Sequence, residues 1–240
     1  MTGGWAPKRF WKQAEAVAAG DAFTVHLDTR PVRTPLKSPL NVPTLALAQA
    51  IADEWQAQTG KIDPALMPMT RMANSAIDKV APQFAEVAGM IAAYGGSDLL
   101  CYRATGPAAL IERQAAHWAL LVDWAAQDLS APLVITHGVM PVPQPDASLA
   151  ALAERVHALS PFELAACHDL VAITGSLILG LAILAGRLTV ESAWELSRID
   201  EKWQAEMWGS DEDAIAAEAF RQRGLRDAGR FLELCRAQSA

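Results

Sequence analysis

The sequence predicts an α+β protein: a small N-terminal α/β domain with antiparallel strands, followed by a larger, mainly helical C-terminal domain. Two observations carry this expectation. Apolar residues alternate with a period of two at Phe23, Val25 and Leu27, and the period changes to the helical one at "PT", 43–44, after which the chain is mostly helical. A soft boundary near residue 85 divides the chain into 1–85 and 86–240.

In "AFTVHLDTRPVRTP", Phe23, Val25 and Leu27 alternate with Thr24 and His26, between the turn-forming "AAGDA" and "DTRP". With "RFWKQAEAV" before and "LKSPLNV" after, residues 8 to 42 read as three or four short strands. In "PTLALAQAIADEWQAQTG", Thr44 can cap a helix, Gly60 can end it, and Leu47, Ile51 and Trp55 recur every four residues on one face. "ALMPMTRMANSAIDKV" is an extended entry followed by a helix, and Pro82 separates it from "QFAEVAGMIAAY".

The second part begins with a short apolar run, "LLCYR". A long helix is expected from about Pro107 to Leu129, with Leu110, Gln114, His117, Leu121 and Trp124 near one face. "LVITH" is a possible strand before the Pro-rich "VMPVPQP", and helices are expected at 146–159, 161–185, 189–208 and 211–237. The most apolar run, "LVAITGSLILGLAILAG" at 170–186, has the minimum length for a bilayer span. It continues a helix opened by Ser160, Pro161 and Glu163 as a capping box and carrying His168 and Asp169, so a buried central helix is expected rather than membrane insertion.

Of the 240 residues, 52% are apolar and 20% charged, with a net charge of -7, which argues against nucleic acid or an anionic membrane as the main partner. Cys101, Cys167 and Cys235 are odd in number and more than sixty residues apart, which fits neither a disulfide framework nor a CxxC knuckle and suggests a reducing compartment. The start "MTGGWAPKRFWK" has neither a secretory h-region nor a transit-peptide pattern, so a cytoplasmic bacterial protein or a processed mature form is expected.

Each constellation that would support catalysis falls short. "GSLILG" has two glycines at the P-loop interval, but no Lys follows and the segment lies in an apolar helix, where its small residues suit close helix packing. Ser176 in it reads as a packing residue. There is no GxGxxG and no GxSxG. Glu154 and His157 form one Glu-x-x-His, where a di-iron bundle needs two copies. Cys167 and His168 point about 100 degrees apart on a helix, which disfavours joint metal ligation and favours a buried thiol beside a hydrogen-bonded core histidine. Arg221, Arg223, Arg226, Arg230 and Arg236 alternate with acids on the last helix as a mixed-charge, solvated face. No cofactor is expected.

The stretch "RIDEKWQAEMWGSDEDA", 198–214, holds six carboxylates and two tryptophans. If 189–208 is one helix closed by Gly209, then Leu196, Ile199, Trp203 and Met207 form a core stripe. Trp194, Glu201 and Trp208, spaced seven apart, form a second line on another side, either packed on a helix of the same domain or exposed as a partner surface. Asp200 lies close to the core direction, where a carboxylate needs a partner or an edge position. Ser210 can cap the last helix, with Asp211, Glu212 and Asp213 in its first turn.

Several stretches together resemble the ATP12 family, the assembly chaperones of the F1 sector of ATP synthase in mitochondria and alphaproteobacteria. They are "KRFWK" with "VHLDTRPVRTPLKSPLNVPT", "LAQAIADEWQAQ" with "MPMTRMANSAID", "DLLCYRA", "HWALLVDWAAQDL" and "LTVESAWELSRIDEKWQAEMWG". After "WGS", "DEDAIAAEAF" departs from the more aromatic, His-containing mitochondrial continuation.

The resemblance implies an ATP-independent chaperone that binds the free F1 α subunit, prevents its aggregation and releases it when β arrives. The protein is expected to be monomeric when free and to act in the bacterial cytoplasm, as eukaryotic relatives act in the mitochondrial matrix. The family's Trp in the first long helix matches Trp55, and its late acidic and Trp-Gly segment matches Asp200, Glu201, Trp208 and Gly209. The candidate partner-binding residues are therefore Trp55, Trp194, Asp200, Glu201, Trp208, Asp211 and Glu212. The competing readings are an enzyme with Asp200 or Glu201 as general acid or base, with His117 or His168, and an adaptor for another complex.

Overall fold

The computed structural model describes residues 8–209 and 211–237. These residues divide into two compact units: 8–83, 161–165 and 230–237 form the first, and 84–160 with 166–209 and 211–229 the second.

The first unit contains β1 (Ala14–Ala19), β2 (Ala22–Leu27) and β3 (Arg30–Pro31) in an antiparallel sheet of order β1-β2-β3. The β1–β2 register ends at Ala19↔Ala22, leaving Gly20 and Asp21 as a two-residue turn in which Gly20 takes a φ of +64°. Val25 and Leu27 are buried. Thr24, on the expected polar face, is buried as well, and its hydroxyl donates to the Leu40 carbonyl at 2.8 Å.

Helix α1 (Leu45–Gln56) packs on β1 and β2 through Leu47, Ala48, Ile51 and Ala52, and Thr44 caps it by accepting from the Leu47 N–H. Its Glu54 carboxylate accepts from the Met69 and Thr70 N–H groups at 2.6 and 2.8 Å, capping α2 (Pro68–Ser75), which has no side-chain cap of its own. A π-helical turn (Ala76–Val80) follows α2, and its Asp78 binds the Thr34 hydroxyl and the Leu36 N–H. The two late segments hold each other through Phe162 stacked on Phe231 and the Arg236–Glu163 ion pair, and the Thr44 hydroxyl donates to the Leu234 carbonyl.

The second unit contains α3 (Phe84–Ala92), β4 (Tyr102–Arg103), α4 (Ala108–Asp128), β5 (Thr136–His137) and α5 (Asp146–His157). Strands β4 and β5 pair in parallel. Then follow α6 (Pro161–Thr174), α7 (Leu177–Leu184), α8 (Val190–Ser197), α9 (Ile199–Trp208) and α10 (Glu212–Arg236), the first turn of α6 and the end of α10 belonging to the first unit. On α4, Trp118 rather than His117 is buried, and its indole N–H donates to the Leu196 carbonyl at 2.9 Å; His117 is exposed.

Two helices expected to be continuous are broken. The segment 161–185 stops at Gly175, whose φ is +70°, and restarts at Ser176, which caps α7 by accepting from the Leu179 N–H. Ser176 is therefore a cap as well as a packing residue. Its hydroxyl donates at 2.8 Å to Asp98, whose carboxylate also accepts from the Ile178 and Leu100 N–H groups at 2.9 and 3.0 Å. Asp98 is fully buried, and that burial pushes its pKa up to about 6, against the opposing pull of those hydrogen bonds.

All eight residues of α7 are buried. A Cβ on Gly180 would lie 2.6 Å from a methyl of Val171 on α6, so its lack of a side chain is what permits the close approach. Among the described residues, no helix is long and apolar enough to cross a membrane.

The segment 189–208 breaks at Arg198 (φ -111°, ψ 16°), where the Ser197 hydroxyl donates back to the Trp194 carbonyl. That break disrupts the angular relations assumed for a single helix.

Candidate partner-binding face

Trp194, in the middle of α8, is 3% exposed and belongs to the core of the second unit, with the Arg198 guanidinium 5.4 Å from its ring. It therefore shares no exposed line with Glu201 and Trp208. The expected core stripe also divides: Ile199 is buried, Leu196 and Trp203 are half-buried, and Met207 is 55% exposed. Both corrections have one cause, the break at Arg198, which re-phases α9 relative to α8.

Trp208 is 79% exposed and, with Pro107, Leu110 and Trp203, walls a cleft of about 290 Å³ whose polar lining comes from Asp200 and Gln204. Asp200 is half-buried here, which accounts for a carboxylate close to the core direction. Its Oδ1 accepts from Gln114 Nε2 at 2.6 Å. Gln114 is held in turn, its Oε1 accepting from the Ala104 N–H at 2.8 Å and its carbonyl from Arg103 at 2.7 Å. Arg103 is buried over the Trp118 ring, and burial lowers its pKa from the ordinary value. A chain of neutral and cationic donors thus fixes the orientation of Asp200.

Glu201 is exposed and pairs at 2.8 Å with Arg198, whose Nε also lies 4.0 Å from Glu218 on α10. Arg113 on α4 lies over Trp203 and grips Glu206 through two hydrogen bonds of 2.8 and 2.9 Å, and these bonds raise its pKa and lower that of Glu206. Asp211 is exposed, and its Oδ1 accepts from the Ala214 N–H at 2.7 Å, so α10 is capped by Asp211, with Glu212 in its first turn. The cap expected at Ser210 lies outside the described residues. Trp55 belongs to the first unit, half-buried and edge-on to Trp11 at 5.3 Å.

Asp200 and Trp208 thus share one cleft, Glu201 is on the same helix, and Asp211 and Glu212 open the next. Sequence reasoning missed Gln114, Arg113 and Pro107 as builders of the cleft. It also missed Ile215 (56% exposed) and Phe220 (76%), apolar residues among the alanines and acids of α10.

The side chains offer little for acid–base or metal chemistry. Among the described residues Asp200 is the one titratable group lining the cleft, and neither Glu201 nor His117 reaches its walls. His168 is half-exposed rather than in the core and pairs with Asp169 at 2.8 Å, which raises its pKa. Burial pushes all three cysteine thiols up to about 12, far from nucleophilic character. Among the described residues no three His, Cys, Asp or Glu side chains converge as metal ligands.

A family profile described as "ATP12 chaperone protein" matches residues 8–126. The crystal structure of Atp12 from Paracoccus denitrificans is 55% identical with a TM-score of 0.92, over 95% of this chain and 98% of that one. An aspartate-to-lysine mutant of the same protein gives 0.93 at the same identity and coverage. A structure from Agrobacterium tumefaciens is 43% identical with a TM-score of 0.90, over 95% of this chain and 85% of that one. The mitochondrial atp12 protein of Schizosaccharomyces pombe is 25% identical over 219 residues, 86% of this chain and 75% of that protein. With such identity over nearly the whole length, fold and sequence agree: the chain belongs to the ATP12 family of chaperone proteins.

Proposed function

We propose that the protein acts in F1 ATP synthase assembly as an ATP-independent chaperone. It binds the unassembled α subunit one to one, shields its interface, and gives it up when the β subunit competes for the same surface. The observation that carries this reading is the set of large apolar side chains, Met207, Trp208, Ile215 and Phe220, exposed among carboxylates on α9 and α10. Apolar groups in a polar frame are the usual make-up of a protein-binding surface. An assembly subunit without its partners exposes such a surface too, and covering it needs complementarity rather than a nucleophile or a nucleotide site.

In this reading Asp200, Glu201, Trp208, Asp211 and Glu212 act at the α-binding surface, and Trp55 is a further contact in the first unit. Trp194 contributes from inside by supporting Arg198. Release requires no ATP, because a ligand that binds one state of α is displaced by mass action when β binds more tightly. The setting that fits is the bacterial cytoplasm. The test is co-expression of a bacterial F1 α subunit with and without this protein. Soluble α and a one-to-one complex on sizing are expected; unchanged solubility of α and no complex would overturn the proposal.

A further inference from the structure

We infer that the cleft between the start of α4 and α9 is a receptor for one basic side chain, arginine or lysine, projecting from an apolar stretch of the partner protein. The inference rests on the chaperone reading and names what this part of the surface recognises.

The dimensions suit one long side chain. A space of about 290 Å³ is too small for a helix or strand, and its walls at Pro107, Leu110, Trp203 and Trp208 are apolar, as the aliphatic stem of a lysine or arginine requires. The polar end is anionic. Asp200 Oδ1 is occupied by Gln114, while among the described residues Oδ2 has no donor and no cation lies within ion-pair distance. Arg113 is engaged with Glu206, Arg198 with Glu201 and Lys202 with Glu195, while Arg103, whose charge is felt at Asp200, is buried and donates to the Gln114 carbonyl rather than to the carboxylate.

The surroundings select the same charge. From Asp200 to Phe220 the chain carries seven carboxylates and one lysine, so a cation is drawn toward the cleft and an anion repelled. The exposed indole of Trp208 adds a ring face for a cation, an attraction that grows when a partner excludes water from it.

The test uses the full chain and two variants. Asp200→Asn keeps an oxygen for Gln114 and cancels the charge, whereas Trp208→Ala removes an exposed wall without touching the core. With purified bacterial F1 α, each variant should raise the dissociation constant about tenfold or more, and Asp200→Asn should flatten its salt dependence. Equal binding of α by wild type and both variants would overturn the inference and leave the chaperone reading intact.

A second arm uses a synthetic amphipathic peptide of leucine and arginine, and the same peptide with neutral citrulline for arginine, followed by tryptophan fluorescence. Binding by the wild type that is lost on citrulline replacement and weakened by Asp200→Asn supports the cleft even if α itself does not bind. A peptide that binds Asp200→Asn as well as wild type overturns it. Melting curves of the variants should match wild type, and Trp208→Ala still decides the question should Asp200→Asn fold poorly.

Discussion

Helix α7 and the first half of α10 are both short runs of small and aliphatic residues behind a capping side chain, yet their surroundings are opposite. Every residue of α7 is buried, whereas from Asp211 to Arg221 every residue except Glu218 is exposed. The difference lies in what each sequence can bury. "LILGLAIL" presents leucine and isoleucine all round, each stabilising the fold by roughly 1.5–3 kcal/mol when removed from water, while "EDAIAAEAF" offers mainly alanine and charge. One stretch holds the unit together, and the other leaves its few large apolar groups available to something else. Buried and exposed apolar surface are thus carried by separate helices.

The comparison breaks most directly at Asp98. Asp98→Ala strips acceptors from the Ser176 hydroxyl and the Ile178 and Leu100 N–H groups, and urea unfolding should show a loss of about 3–5 kcal/mol; a loss below 1 kcal/mol would mean that the α6–α7 junction does not organise the core. Gly180→Ala forces a methyl against Val171 and should cost about 1–3 kcal/mol in the same assay.

The pH dependence sharpens the comparison. The folded pKa of Asp98 is raised to about 6 from 3.8, so the folded state holds this proton more tightly than the unfolded one. Its contribution to stability is fully present below about 3.8 and is lost as pH rises through 6. Measured against Asp98→Asn, which does not titrate there, the wild type should therefore gain about 1–3 kcal/mol on going from pH 7 to 4.5. The smallest effect on stability is expected at α9: Glu201→Lys breaks an exposed ion pair and should move the melting temperature by about 2 °C or less while weakening α binding severalfold. A large drop in melting temperature would instead make Glu201 a structural residue.

Where the sequence carried a chemical signal, the fold could be read from it. The Gly20–Asp21 turn, the Thr44 cap and the Leu47–Ile51 stripe of α1 all formed as their residues require. The break inside 161–185 was signalled too, by a glycine that can end a helix followed by a serine that can cap the next, but the apolar periodicity around "TGSLIL" masked it. The break at Arg198 had no such signal, since neither Gly nor Pro lies nearby and the Ser197 back-bond is one many helices tolerate. That single re-phasing put Trp194 inside and left Met207 exposed. Asp98 was invisible for a different reason: an isolated aspartate after "YGGS" looks like loop chemistry until the α7 amides are seen converging on it. The cleft was half legible. Asp200 and Trp208 stood out as a misplaced charge and a misplaced aromatic, whereas Gln114, which orients the carboxylate, comes from a helix 86 positions away.

The hydroxyl of Thr44 donates to the carbonyl of Leu234 at 2.6 Å, across 190 positions of sequence. During synthesis the early sheet and α1 leave the ribosome long before the segment that closes against them, and the whole second unit is translated in between. The first unit is therefore the earliest to be made and the last to be finished. Until residues 230–237 emerge, the cap of α1 lacks its acceptor and Phe231 has not yet stacked on Phe162, so a nascent chain paused before that point is an open protein despite having most of its residues.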